Sequence, residues 1–459
     1  MKVDSRHTAF KILMRCKKNS CTLDKSIDDA QNELESLSRQ DRNLCNAIVF
    51  GVLRHREFLD FIIKSFSKQP FVKMDIQVLY ILRIALFQLV FLDRIPAFAA
   101  INTSIELAKK QTNKGAAGFI NAILRNADQN HHTLILPDPN KNLLAHICTR
   151  HSFPTWLIKR WIQVHGADKT QSLCQSINTI PPITLRVNTL KTKRKELGAL
   201  LETQEISVDY TKESPQGIHI SSPGKSVTEI DGFAQGFFQI QDEAAQLVSQ
   251  ILDPKPGETI LDACAGLGGK ACHIGQLMNN QGKIIAADLE EHKLASLMAE
   301  AHRLGIENIQ TRQINLLNAT IKDFDGYFDR VLLDAPCTGL GVMRRNPDTK
   351  WKRTLKDVLR LCAQQKKMLN AAANLVKPGG ILVYAVCSCE PEENEQVITA
   401  FLQKRKDYSQ LTMEDIPQFS DTSFKASFKT KDHCFKTYPH ALHMDGFFIA
   451  RLKRAHKPQ

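Results

Sequence analysis

Thr259-Ile260-Leu261-Asp262-Ala263-Cys264-Ala265-Gly266-Leu267-Gly268-Gly269-Lys270 is the stretch on which the fold turns. A short apolar run, strand-like in length, ends in a glycine-rich turn that leads into helical sequence. Glycines let the backbone pass close to a ligand, and a helix N-terminus just beyond presents free N–H groups. The same turn is also a common way to pass from strand to helix, so alone it carries little. Asp288 strengthens the reading. It ends the next apolar run, Lys283–Asp288, where a carboxylate can accept hydrogen bonds from ribose hydroxyls. A helix N-cap is the bland alternative for Asp288. Together the two features predict a nucleoside cofactor without choosing between a dinucleotide and S-adenosylmethionine.

Outward from this turn, strand and helix patterns alternate. A helix is predicted over Glu291–Leu304, strands over Ile309–Gln313 and Arg330–Asp334, and a long helix over Lys356–Leu375. Lys377-Pro378-Gly379-Gly380 then turns into a strand over Ile381–Ala385, and Asp445–Leu452 supplies a last strand. Repeated units of this length imply a mostly parallel, doubly wound α/β sheet from about residue 236 to 459, a Rossmann-like domain.

Two of its strand ends carry reactive groups: Asp334-Ala335-Pro336-Cys337 and Val386-Cys387-Ser388-Cys389. Carboxyl ends of parallel strands face the ligand crevice, which puts a carboxylate and thiols beside the cofactor. C5 of cytosine is a weak nucleophile. A thiolate adding at C6 makes the ring enamine-like, so that C5 can attack a methyl sulfonium, and a carboxyl group near N3 can hydrogen-bond as charge develops there. The thiolate is the reactive form and needs nearby positive charge. A lone cysteine at a strand end is more often a small buried apolar residue, and Cys264, Cys272, Cys362 and Cys434 read that way. A Cys387–Cys389 metal pair has poor zinc spacing, so no metal is expected.

Residues 1–140 read as all-helical, with apolar residues three and four apart, such as Phe10, Leu13 and Met14. Val78–Leu92 is too short and too interrupted, by Arg83 and Gln88, to span a bilayer, and reads as a buried core helix. Leu136-Pro137-Asp138-Pro139-Asn140 breaks the pattern and is a candidate linker. Residues 141–235 are mixed. Helices are predicted at Trp156–Val164 and Asp168–Ile177, and strands at Ile183–Asn188 and Gly217–Ile220, as in a small α+β subdomain. The expected domains are therefore 1–140, 141–235 and 236–459.

The 459 residues carry 61 Lys and Arg against 48 Asp and Glu, a net charge of +13 that favours a polyanionic partner, nucleic acid first. The surplus is spread: residues 1–140 hold 20 basic and 14 acidic side chains and the remainder 41 and 34, so basic surface is expected on more than one domain. Arg344, Arg345, Lys350 and Lys352 follow the Asp-Ala-Pro-Cys turn and are candidate phosphate contacts. Trp351 reads as packed rather than base-stacking, and the Arg186–Asn188 strand is a further candidate RNA contact. The 12 cysteines show no C-x-x-C pair and no secretory signal precedes them, which predicts a reducing, cytoplasmic setting rather than a disulfide framework. A monomer is the default, since no association motif is visible.

These motifs resemble the Nop/Sun family of RNA 5-methylcytosine methyltransferases. The family hallmark pairs Asp-Ala-Pro-Cys with Thr-Cys-Ser, matched here by Asp334–Cys337 and Val386-Cys387-Ser388. The Cys264–Lys270 turn, Gln241-Asp242-Glu243-Ala244-Ala245, Arg344-Arg345-Asn346-Pro347-Asp348 and Asp445-Gly446-Phe447-Phe448 match as well. Phe50-Gly51-Val52-Leu53-Arg54, Leu82-Arg83, Gln88-Leu89 and Phe119–Asn126 resemble a NusB-like helical RNA-binding domain, which narrows the likeness to bacterial members acting on 16S ribosomal RNA. The resemblance implies S-adenosylmethionine-dependent methylation of cytosine C5 at the family target, position 967. It implies Cys387 as nucleophile, Cys337 as the cysteine that assists product release, and Asp334 as a contact to cytosine and cofactor. Cys264, Ala265, Gly266, Leu267, Gly268, Gly269, Lys270, Asp288 and Asn315 would hold the cofactor. Three positions depart from the pattern: Asn315 stands for a family Asp, Val386 for the Thr before the nucleophile, and Cys389 is an extra thiol. The alternatives are the same chemistry on another RNA such as tRNA, a DNA-type cytosine methyltransferase with Cys337 as nucleophile, and a non-catalytic RNA-binding assembly factor.

Overall fold

The structure, a computed structural model, describes residues 4–18, 21–221, 223–412, 416, 433–442 and 444–456; the first three residues of the polar N-terminus lie outside these. The chain forms two compact units, Met1–Thr179 with Met343–Arg353, and Ile180–Val342 with Thr354–Gln459.

The first unit is helical, as its periodicity predicts. The helix Ile76–Phe91 is buried on every side from Val78 to Gln88. Both polar interruptions find partners. Arg83 makes a two-pronged ion pair with Asp60 from the helix Arg56–Phe66, with Nε–Oδ1 and Nη2–Oδ2 both 2.7 Å. Gln88 donates to the Ile84 carbonyl at 3.0 Å and accepts from Arg6 Nε at 2.9 Å. Gly51 is the point at which the helix Arg39–Arg54 meets the Phe87 ring, which occupies the space a Cβ would need. The Asp60→Ala variant strands a buried guanidinium and is expected to cost about 3–5 kcal/mol, read as a lowered urea midpoint in the helical circular-dichroism signal. No helix among the described residues is long and apolar enough to cross a membrane.

The expected linker at 136–140 does not end this unit. Asp138 caps the helix Pro139–His151 by accepting from Asn140 N–H, with proline in the first turn, a place where proline starts a helix. The helices Thr155–His165 and Ala167–Ile177 follow. They bury Leu157, Ile158, Trp161 and Leu173, and the packing boundary falls after Thr179.

The segment 343–353 also belongs to this unit, and burial there corrects the surface role expected for Lys350 and Arg344. Lys350 has no exposed surface. Its ammonium lies 3.3 Å from the Arg54 carbonyl, 3.4 Å from that of Ser152 and 2.6 Å from Asn178 Oδ1, so it meets the C-terminal ends of three helices, where cations are favoured. Burial pushes this ammonium well below its usual range. Arg344 is buried and its carbonyl accepts from Arg54 Nη2 at 3.1 Å. Lys352 pairs with Asp348 at 3.0 Å and donates to the Cys21 carbonyl. Trp351 donates to the Leu53 carbonyl at 2.7 Å and is packed, as expected. Arg345 is half-buried. A run of cations in sequence cannot reveal that carbonyls rather than phosphates satisfy it.

The second unit holds two sheets. The smaller is antiparallel, in the order β2-β3-β1-β4, with β1 Ile183–Val187, β2 Ser207–Tyr210, β3 Gly217–Ser221 and β4 Phe238–Ile240. The predicted strands are β1 and β3; β2 alternates too weakly and β4 is too short to read from pattern. The larger sheet runs β7-β6-β5-β8-β9-β12-β10, with β11 paired to β12. Its strands are β5 Thr259–Asp262, β6 Lys283–Asp288, β7 Ile309–Gln313, β8 Phe328–Asp334, β9 Val376–Val386, β10 Tyr408–Gln410, β11 Phe435–Lys436 and β12 Phe448–Arg454.

Strands β5 to β9 are parallel, and β12 runs antiparallel to both β9 and β10. Both faces are covered. Ile260, Ile284, Leu332 and Val383 enter one apolar layer; Leu261, Ile285, Val331 and Leu382 enter the other. This is the doubly wound arrangement the near-continuous apolar runs predict. The turn expected at Lys377–Gly380 appears instead as an irregularity within β9: Phe328 pairs with Val376, and the register resumes at Arg330 with Ile381. The chain proceeds outward from β5 to β7 and returns at β8, so order reverses between β5 and β8, the position at which such sheets bind ligands.

Candidate active site at the strand ends

Register brings the predicted residues to one end of the sheet. Asp262 lies level with Ala286 and Leu332, and Asp334 with Ala385. The turns after β5, β6, β8 and β9 therefore open on the same side.

The glycine turn is shaped by left-handed backbone at Gly266 (φ 54°) and Gly268 (φ 85°). A Cβ on Gly268 would collide with Leu297 on the helix Glu291–Leu304, whereas a Cβ on Gly266 would meet open space. Asp288 braces the turn. Its Oδ2 accepts from Gly266 N–H at 2.9 Å and its Oδ1 from Glu290 N–H at 3.0 Å. The N-cap of the following helix is Glu290, not Asp288. Asn315 is exposed and accepts from Leu317 N–H at 3.1 Å, capping the short turn after β7. Burial pushes the Asp262 carboxyl up to about 7, with Asp334 adding to the rise, and pushes the Cys264 thiol up.

A residue cast as an RNA contact supports this turn from behind. Arg186 is buried; its Nη1 donates to Gly269 O at 2.8 Å and to Gln241, and its Nη2 to Gln239 Oε1 at 2.7 Å. Burial lowers its pKa to about 10, so it stays charged at neutral pH. Asn188 is also buried, donating to Gly236 O at 2.8 Å and Leu304 O at 2.7 Å. Burial removes both side chains as RNA contacts, and the expectation of RNA contacts from the subdomain as a whole does not rest on them.

Asp334 and Lys270 form an ion pair at 2.5 Å. Burial alone would lower the Lys270 ammonium, but Asp334 outweighs it and the net shift is upward, with Cys387 adding to the rise. Lys270, expected to hold cofactor, is thus tied to the chemistry-bearing strand end, with its ammonium 5.5 Å from the centre of the Phe447 ring.

The two sulfurs of Cys337 and Cys387 lie 3.3 Å apart. The Cys337 thiol is pushed well above its usual range, first by its hydrogen bond to Cys387, then by burial and by the nearby Glu393 and Asp334 carboxylates. Cys389 is buried and pushed up to about 12 by burial. Val386 is fully buried in an apolar layer and contributes no polar group. Among the described residues no cluster of three His, Cys, Asp or Glu could hold a metal ion.

Two glycines that pattern reading passes over set the Cys387 backbone. Gly341 N–H donates to Cys387 O at 3.0 Å, and Gly446 N–H donates to Gly341 O at 2.9 Å. A Cβ on Gly341 would strike the Gly446 carbonyl, and one on Gly446 would lie 2.5 Å from Cys389 Sγ. Asp445 N–H reaches Asp242 Oδ1 at 3.1 Å, and Asp242 caps the helix Glu243–Leu252. The sequence signal for this joint was the pair of motifs around residues 242 and 445, whose contact only the fold reveals.

Comparison with known proteins agrees with this architecture. The chain matches family models for 16S rRNA methyltransferase RsmB/F over residues 249–453, the NusB family over 3–129 and an RsmF/B-like ferredoxin-like domain over 153–228. The helices after residue 153 therefore group with the strands in sequence but pack with the helical unit. The chain is 37% identical over 458 residues to a probable ribosomal RNA small subunit methyltransferase B of Synechocystis sp., covering 99% of this chain and 100% of that one. It is 34% identical over 456 residues to the Bacillus subtilis protein of the same description, covering 99% of each. The crystal structure of PH0851 superposes with a TM-score of 0.81 at 26% identity, covering 99% of this chain and 100% of that one.

Proposed function

The chain belongs to the RsmB/F family of 16S rRNA methyltransferases, and from that premise we propose that it methylates C5 of a cytosine in 16S ribosomal RNA through a covalent adduct on Cys387. The observation that carries this reading is the pair of thiols 3.3 Å apart beside the Asp334–Lys270 ion pair, at adjacent strand ends.

The residues present fit S-adenosylmethionine. Gly266 faces open space, and each Asp288 oxygen accepts one backbone N–H, leaving lone pairs for ribose hydroxyls. Leu267 and Leu289, each 63% exposed, and Leu317, 41% exposed, stand on three successive turns, an apolar surface suited to a flat base. Asn315 keeps an amide that can donate to or accept from adenine. When bound, the cofactor supplies an electrophilic methyl group.

The protein's own groups do the rest. Cys387, as thiolate, adds to C6 of a cytosine taken out of its stack, and C5 gains the electron density with which it takes the methyl. Asp334, held in place by Lys270, accepts a hydrogen bond from the exocyclic amine on the ring edge, and the Lys270 ammonium beside it offsets the negative charge that develops at N3. The C5 proton then leaves, the C5–C6 double bond re-forms, and the bond from C6 to Cys387 sulfur breaks. Cys337 gives its proton to the departing sulfur and regains one from C5. The net charge of +13 supports a polyanionic substrate. With Lys350 and Arg344 buried, Arg345 is the cation of that run best suited to reach a phosphate.

Bisulfite mapping of 16S ribosomal RNA from a strain lacking the gene tests the substrate. Loss of the signal at the family position, 967, is expected. An unchanged map would direct the search to transfer RNA or to a non-catalytic assembly role.

A further inference from the structure

The loop after Cys387 continues Ser388-Cys389-Glu390-Pro391-Glu392-Glu393-Asn394, and two of its acids, Glu390 and Glu393, are buried. Glu393 has no exposed surface, and among the described residues no cationic side chain pairs with it. It is instead ringed by donors. Its Oε1 accepts from Thr338 N–H at 2.9 Å and Gln365 Nε2 at 3.0 Å; its Oε2 accepts from Thr338 Oγ1 and Ser388 Oγ, both at 2.5 Å. An ionised carboxylate has about four lone-pair sites, and four donors fill them. Thr338, Ser388 and Gln365 are themselves fully buried.

The identity of these donors matters. Thr338 directly follows Cys337, and Ser388 directly follows Cys387. Gln365, on the helix Leu355–Leu375, also donates to Pro336 O at 3.0 Å, on the other side of Cys337. Asn394 Nδ2 donates to Ser388 O at 3.2 Å, and the Tyr384 hydroxyl, on β9, donates to Glu393 O at 2.7 Å. One carboxylate thus joins the two turns that carry the thiols and anchors both to a helix, while the main-chain carbonyl of the same residue is tied to a strand.

We propose that Glu393 is a positioning residue that sets the separation and mutual aim of Cys337 and Cys387 by binding the residue that follows each. It touches neither sulfur, so it acts through the backbone of the two turns. A hydrogen-bonded network that is fully satisfied fixes one geometry, and a half-satisfied one does not. The catalytic consequence rests on the covalent reading above, whereas the geometric claim does not.

The test compares the full-length protein with Glu393→Ala, Glu393→Gln and the double variant Thr338→Val with Ser388→Ala. The first readout is the rate at which diamide oxidises Cys337 and Cys387 to a disulfide, each thiol losing its hydrogen to the reagent, followed by mass spectrometry of the linked peptides. The second is single-turnover methyl transfer, with the KM for S-adenosylmethionine measured in parallel. Glu393→Ala and the double variant are expected to cross-link about 10-fold more slowly and to transfer methyl about 100-fold more slowly, with KM unchanged, since a displacement of about 1 Å suffices for such losses. Glu393→Gln keeps the shape, and the hydroxyls can rotate to accept from its amide, so it is expected to restore both rates to within about threefold. If Glu393→Ala does not fold, the double variant, which keeps the Thr338 N–H bond, carries the test. Wild-type cross-linking in either folded variant overturns the proposal. Slow cross-linking together with full turnover in a Cys387→Ala control would leave the geometric claim standing and sink the covalent reading.

Discussion

Cys387→Ala is expected to abolish methyl transfer to RNA while leaving S-adenosylmethionine binding intact. The thiol stands at the end of β9, half-buried and 3.3 Å from its partner sulfur, while the groups assigned to the cofactor stand mainly on the turns after β5 and β6. The Cys387 backbone is held through its carbonyl by Gly341 N–H at 3.0 Å, and truncation at Cβ leaves that bond in place. What is lost is the adduct that makes C5 nucleophilic, and removing a nucleophile that acts in concert with its neighbours costs about 10⁴-fold or more. Equilibrium binding of labelled S-adenosylmethionine separates this from misfolding: binding at wild-type affinity with no incorporation into RNA is the expected result. Turnover retained within an order of magnitude would remove Cys387 from the role of nucleophile. The DNA-type alternative predicts the opposite ranking, with Cys337→Ala the dead variant and Cys387→Ala merely impaired.

The catalytic sheet was legible because its signals are local and redundant. Each apolar run of β5, β6 and β8 is bounded by a turn, and the strand ends at Asp262, Asp288 and Asp334 coincide with a carboxylate in each case. The site residues followed from that register. The misreadings share a different cause. Lys350 and Arg186 are charged side chains whose partners are main-chain carbonyls or amides far away in sequence: Arg54 and Ser152 for Lys350, Gly269 and Gln239 for Arg186. Composition assigns a cation to the surface by default, and nothing local marks the exception. The continuation of helical packing to Thr179 was hidden for a related reason. Asp138-Pro139 punctuates the chain, but proline in the first turn of a helix is as much a beginning as an end. Glu393 was overlooked because three acids within four residues read as solvated charge, and only the fold shows that the middle of the loop turns inward to Thr338 and Ser388.

The second large effect concerns the other sulfur. Cys337→Ala is expected to stop multiple turnover and to accumulate a covalent RNA–protein adduct, because it spares the attack and removes the exit. In the wild-type pair the Cys337 thiol is pushed well above its usual range by the bond to Cys387, by burial and by the Glu393 and Asp334 carboxylates. A thiol so placed lies close enough to exchange a proton with the Cys387 sulfur, 3.3 Å away. Expulsion of Cys387 from C6 leaves a thiolate in a partly buried site, and without a proton delivered in that step the bond re-forms. Proton transfer by a positioned side chain contributes about 10²–10⁴-fold, so turnover falls by that order while the first methyl transfer proceeds. A gel under denaturing, non-reducing conditions reads the outcome directly, as a band shifted by the mass of the RNA and labelled from the methyl group. The shift should vanish in the Cys337→Ala, Cys387→Ala double variant, since the bond that is trapped is the one Cys387 makes. Loss of methylation with no shifted band would place the attacking sulfur on Cys337, and the ordering of the two cysteines would then have to be reversed.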